Sequence, residues 1–157
     1  MFYWKNAIIM RNFVKYLSLL LMAVVGGIAL WSCSDDKDEP IPGDALPILA
    51  QSFIEQYYPG VNIVSSTKDK DDYEVILSEG TCIEFNKAGE WTDVDAALGK
   101  TIPSGFYPAA IDTYVQENMQ GAGISEISKE RRGYDVELVT GAELLFNTEG
   151  TFIGYDN

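Results

Sequence analysis

The 157-residue chain contains no histidine. That removes the commonest general base, the commonest zinc ligand and every Ser-His or Cys-His nucleophile pair. Cysteine is scarce, with only Cys33 and Cys82. Bases are few where acids abound. Lys5, Arg11 and Lys15 all precede the first acid, Asp35, and beyond residue 32 the chain carries 24 acids against 8 bases, a net of −16. Such a surface repels nucleic acid and anionic lipid, which argues against a DNA- or RNA-binding role. There is no G-x-S-x-G, no Walker loop and no Cys/His cluster. No apolar run reaches the roughly 20 residues of a membrane span. What remains is an ordinary 46% apolar content, enough for one domain or for two small units sharing a core.

The N-terminal segment reads as an address. Arg11 and Lys15 precede an apolar run of 14 residues, Leu17 to Leu30, the length of a signal-peptide core. "LWSC" follows, ending at Cys33. It resembles the lipobox of bacterial lipoproteins, although Trp31 departs from the usual small residue. The resemblance implies cleavage after Ser32 and lipidation of Cys33, with an uncleaved anchor helix as the alternative. "MFYWKNAII" is odd ahead of a signal peptide, and Met10 is the more natural start. After Cys33, "SDDKDEPIPGD" is a solvated acidic tether stiffened by Pro40 and Pro42. Its position resembles the export signal of lipoproteins displayed on the outer face of the outer membrane. Cell-surface exposure is therefore expected, with the periplasmic face as the rival. With Cys33 lipidated, Cys82 is an unpaired strand residue among acids, where a thiolate is disfavoured.

Residues 73–95 and 134–156 align without a gap at an offset of 61. Both begin with Tyr and share Val, Leu, Gly, Phe-Asn, Gly and Asp at matching positions; upstream, Pro47 matches Pro108, Gly60 matches Gly121 and Lys68 matches Lys129. This is an internal duplication. Each copy opens with an amphipathic helix: Leu49, Ala50, Phe53, Ile54 and Tyr57 form the inward face in the first, and Ala110, Ile111, Tyr114 and Val115 in the second. Pro47 suits the first helical position, and Pro59-Gly60 stops the helix. Four strands follow, with Tyr73, Val75 and Leu77 on one face, hairpin glycines at Gly80 and Gly141, and Asn-x-x-Gly turns in "FNKAG" and "FNTEG". The expected fold is α+β: two tandem units, each a helix and four antiparallel strands, forming one continuous sheet with the helices on one face. The boundaries are 1–32 for the signal peptide, 33–44 for the tether and 45–157 for the domain, with repeats at 46–95 and 107–157 and a link at 96–106.

These two segments, each after a "P…fI…" helix, resemble the PepSY-like, β-lactamase-inhibitor-like domains of bacterial secreted lipoproteins, and "TIPSGFYPAAI" resembles that family's link. The resemblance covers about residues 45–157. It implies the fold, and an inhibitor-like mode in which a sheet face clasps a partner. It brings no catalytic residues.

The remaining motifs are weak. Ser65 to Lys68 spells S-x-x-K, but in a predicted strand without partner motifs. "DKDDYE" at 69–74 could offer carboxylates to Ca²⁺ but lacks the spacing of an EF-hand loop and reads as a hairpin turn. No pair of acids is singled out for glycoside hydrolysis. The better lead is the sheet face away from the helices. Strict alternation assigns to it Glu74, Ile76, Ser78, Cys82, Glu84, Thr92 and Val94 in the first unit, and Asp135, Glu137, Val139, Glu143, Leu145, Ile153 and Tyr155 in the second. Apolar groups among acids suit a protein-binding surface. The candidate face comprises Glu74, Ile76, Glu84, Val94, Glu137, Val139, Leu145, Ile153 and Tyr155. The expected function is that of a non-catalytic, lipid-anchored envelope binding protein without cofactor or metal. Its partner is an unidentified protein, with a secreted enzyme such as a protease as one form. The alternatives are a carboxylate-dependent hydrolase or small-ligand binder, which requires a deep pocket with converging acids, and a structural envelope component.

Overall fold

A computed structural model describes residues 39–70 and 72–156. The proposed signal peptide, Cys33 and the first half of the acidic tether, to residue 38, lie outside the described residues. A short strand β1 (Glu39–Pro40) and a 3-10 turn (Gly43–Ala45) lead into helix α1 (Ile48–Tyr57). Four strands follow: β2 (Ile63–Lys68), β3 (Asp72–Leu77), β4 (Cys82–Asn86) and β5 (Trp91–Asp95). The second copy repeats the series with α2 (Ala109–Asn118), β6 (Ile124–Glu130), β7 (Gly133–Leu138), β8 (Glu143–Asn147) and β9 (Phe152–Tyr155). All nine strands form one antiparallel sheet in chain order.

The helices form as expected, with local adjustments. Pro47 and Pro108 stand at the N-caps, one residue outside the helices. Ala50, Phe53 and Ile54 are buried, as are Ile111 and Val115, but Leu49 and Ala110 are exposed. The buried stripe is therefore narrower than the predicted one, with Tyr57 and Tyr114 half-buried at its margin. α1 ends at Tyr57, where Gly60 takes a positive φ that lets the chain turn back.

The strand interiors alternate. Val75, Leu77, Ile83 and Phe85 in the first copy, and Val136, Leu138, Leu144 and Phe146 in the second, point to the helix side and are almost fully buried. The two Asn-x-x-Gly turns are alike in detail. Asn86 Oδ1 accepts the N–H groups of Ala88 and Glu90, and Asn147 Oδ1 those of Glu149 and Thr151. Gly89 and Gly150, at φ +85 and +81, close the turns directly beneath the helix starts.

The copies join through β5 and β6, which pair Asp93 with Ser128, Val94 with Ile127 and Asp95 with Glu126. Their buried residues form one core. The link contributes to it. Phe106 lies edge-on to Phe53 and Trp91, each with ring centroids 5.0 Å away, and Tyr57 donates its hydroxyl to the Gly105 carbonyl. From the second copy, the Lys129 ammonium sits 4.3 Å over the Trp91 ring. Among the described residues no helix is long and apolar enough to cross a membrane.

Candidate functional site

The face opposite the helices is built by the alternate positions of the strands, and pairing aligns these into two rows. In the first row Thr67, Glu74, Glu84 and Asp93 lie across successive strands, continued by Ser128, Asp135 and Leu145. In the second row Ser65, Ile76, Cys82 and Asp95 are continued by Glu126, Glu137 and Glu143. Each row holds acids and no base. Five cross-strand pairs set one acidic residue opposite another in the register: Glu74–Glu84, Glu84–Asp93, Asp95–Glu126, Glu126–Glu137 and Glu137–Glu143. Like charges directly opposite one another destabilise a sheet by a few tenths to about 1 kcal/mol each. Ile76 and Leu145 are the apolar members, one in each copy, both half-buried.

Two residues assigned to this face from the sequence are not on it. Val94 is fully buried on the helix side, and Tyr155 pairs with inward-facing Leu144. The cause is a bulge in the last strand of each copy. The register steps from Phe85–Trp91 to Glu84–Asp93, leaving Thr92 unpaired, and from Phe146–Phe152 to Leu145–Gly154, leaving Ile153 unpaired. One extra residue reverses the alternation beyond it. Ile153, 61% exposed, sits at the second bulge, and Val139, 47% exposed, lies in the turn just past β7. Glu74, Ile76, Glu84, Glu137 and Leu145 do lie in the two rows.

Asp93, Asp95 and Glu126 were missed as a contiguous part of the face. A signal for the first two existed. In "WTDVD", unbroken alternation puts Asp93 and Asp95 inside with Trp91, at a heavy desolvation cost. A bulge lets Trp91 and Val94 both face in and both acids face out.

Cys82 lies in the second row. Burial, and then the charges of Glu74, Glu84, Asp93 and Asp95, push its thiol up to about 12. It stays protonated at neutral pH and is a poor nucleophile. On the helix side, a shallow depression of about 460 Å³ is lined by residues including Asp44, Gln51, Glu55 and Tyr58. Among the described residues no group of three or more Cys, Asp or Glu is arranged to hold a metal ion.

This sheet, duplicated and helix-backed, is a known architecture. The family described as "putative beta-lactamase-inhibitor-like, PepSY-like" matches residues 28–81 and 71–154, and the chain belongs to it. Among solved structures, the chain is 34% identical to a "putative calcium-regulated periplasmic protein" from Bacteroides thetaiotaomicron, with a TM-score of 0.71 over 76% of this chain and 97% of that one. Two proteins from Bacteroides vulgatus, each described as a "putative periplasmic protein", are 32% and 30% identical, each with a TM-score of 0.72, and are covered completely by 79% and 77% of this chain. Among curated proteins none matches significantly.

Proposed function

We propose that the protein is a non-catalytic, lipid-anchored envelope protein that binds a basic surface of a partner protein on its open sheet face, a secreted enzyme such as a protease being one such partner. The observation that carries this reading is the set of five cross-strand pairs of acidic residues on the open face. Rows of acidic residues on one sheet face are complementary to the lysines and arginines of a basic surface. The duplication supports the same reading. Helix-side positions repeat between copies, as in Val75 and Val136 or Phe85 and Phe146, whereas Ile76 and Cys82 become Glu137 and Glu143, and Glu84 becomes Leu145. Packing holds one face constant while the other is free to acquire specificity. Periplasmic relatives are consistent with an envelope protein.

Glu137→Lys tests this reading because its two expected effects oppose each other. Glu137 stands between Glu126 and Glu143, so a lysine there converts two repulsions into attractions. The variant should be more stable by roughly 0.5–2 kcal/mol in urea denaturation, summed over two cross-strand pairs. It should also capture less partner from native envelope than the unaltered chain does. Equal capture by both chains would remove the open face from the binding account. Charge-driven binding should further weaken as salt is raised.

The anchor rests on the n-region, the short apolar run and Cys33 after Ser32. Cys33→Ser should abolish incorporation of a fatty-acid probe and release the protein from the membrane fraction. Labelling that persists in the variant would refute lipidation at this cysteine. Display on the outer surface should depend on the tether acids. Replacing "DDKDE" with neutral residues should protect the protein from protease added to whole cells, and unchanged cleavage would argue against an export signal.

A further inference from the structure

The outer side of β5 is filled by β6, but β9, its counterpart in the second copy, has no second neighbour among the described residues. At the other end of the sheet stands β2, the counterpart of β6. Among the described residues its outer side is covered by β1, in pairs Glu39–Lys68 and Pro40–Thr67, and by Ile41, whose N–H bonds Ser66 O at 2.9 Å. Ser66 returns its hydroxyl to the Ile41 carbonyl at 2.6 Å. Pro40 has no N–H to give, so β1 pairs with β2 less fully at this point, and a proline at an edge is a common device for protecting it.

We propose that the two ends of the sheet are complementary, and that a second copy of this chain adds its β2 to β9 in place of β1, in the register of the β5–β6 junction. That junction is the template. Shifted by 61 residues, its pairs become Gly154 with Thr67, Tyr155 with Ser66 and Asp156 with Ser65 of the second copy. Each substitution suits the new contact. Tyr155 against Ser66 sets large against small where Val94 meets Ile127, filling a comparable space. Asp156 against Ser65 lacks the repulsion of Asp95 against Glu126. Lys68, the counterpart of Lys129, arrives at Phe152, the counterpart of Trp91, so the cation–π contact of the internal junction has both its partners. The backbone is ready as well. Asp156 donates its N–H to Glu143 in β8, so by antiparallel alternation Tyr155 directs its own to the open edge.

Such a contact is head-to-tail, using a different edge of each copy, so it adds copies in series rather than pairing two through the same surface. The test is disulfide cross-linking of the full chain in its native envelope, in a Cys82→Ser background. A chain carrying both Thr67→Cys and Gly154→Cys should give a ladder of dimers, trimers and higher species on a non-reducing gel. Chains carrying either cysteine alone should not. Ile41→Pro, which removes the cap's backbone bond, should increase the ladder several-fold, and adding Tyr155→Pro should abolish it. Ser66→Ala, which removes only the hydroxyl bond to Ile41, repeats the uncapping test should the Ile41 variant not accumulate. Two results would overturn the proposal: no ladder in either uncapped chain, or a dimer from Gly154→Cys alone, which would mean that β9 pairs with another β9.

Discussion

Phe85→Ala and Phe146→Ala should each lower the unfolding free energy by about 3–5 kcal/mol. Both rings are essentially inaccessible to water. Phe85 meets the Phe53 ring edge-on at 5.7 Å, and Phe146 meets Tyr114 at 5.5 Å and Phe152 at 5.8 Å. Truncation leaves a cavity that the sheet cannot close, because each ring is held between a helix and two neighbouring strands. Against a total stability of roughly 5–15 kcal/mol, either loss is large. The two copies share one core and one sheet, so either variant should melt in a single transition at a lower temperature. Calorimetry that shows two steps, only one of them shifted, would mean that the copies are independent modules.

Gly89→Val and Gly150→Val should cost a similar amount by a different route. Both glycines hold a left-handed conformation that a β-branched residue adopts at about 1–3 kcal/mol. Space is also lacking. A Cβ on Gly89 would stand 2.6 Å from Pro47 Cβ and 3.0 Å from the Ala50 nitrogen; on Gly150 it would stand 2.8 Å from Pro108 Cβ. The helix start must lift from the turn, adding overpacking strain of about 1–3 kcal/mol. Urea denaturation should therefore show losses of roughly 2–6 kcal/mol. Gly60→Val makes the control: its φ is +78, yet nothing lies within 4 Å of its Cβ position. It should lose only the conformational part. Equal losses at all three positions would show that turn geometry alone fixes these glycines.

The repeated "FN..G" phrase illustrates what was legible in the sequence. Its turn chemistry follows from Asn and Gly by local rules, and the turns are as expected. Its contact with the helix start is a tertiary fact with no local signature. The same division runs through the sheet. Alternation located the inner residues of β3, β4, β7 and β8, where the period of two is unbroken. It failed for Val94 and Tyr155, because a bulge in β5 and β9 changes the parity of all that follows. The acidic rows were half visible for a further reason. Glu126 meets Asp95 only because β6 pairs with β5, and that pairing spans the whole link and α2.

Site-specific photo-crosslinking most directly tests whether the acidic face is the binding surface. One chain would carry a photoreactive residue at Ser128, in the middle of the first acidic row, and another at Gln116, on the exposed side of α2. Both would be irradiated in native envelope and their adducts identified by mass spectrometry. A binding face predicts an adduct with a protein of basic surface from position 128, absent from position 116 and lost on introducing Glu84→Lys and Glu137→Lys. The same adducts from both positions, or adducts from position 116 alone, would contradict it.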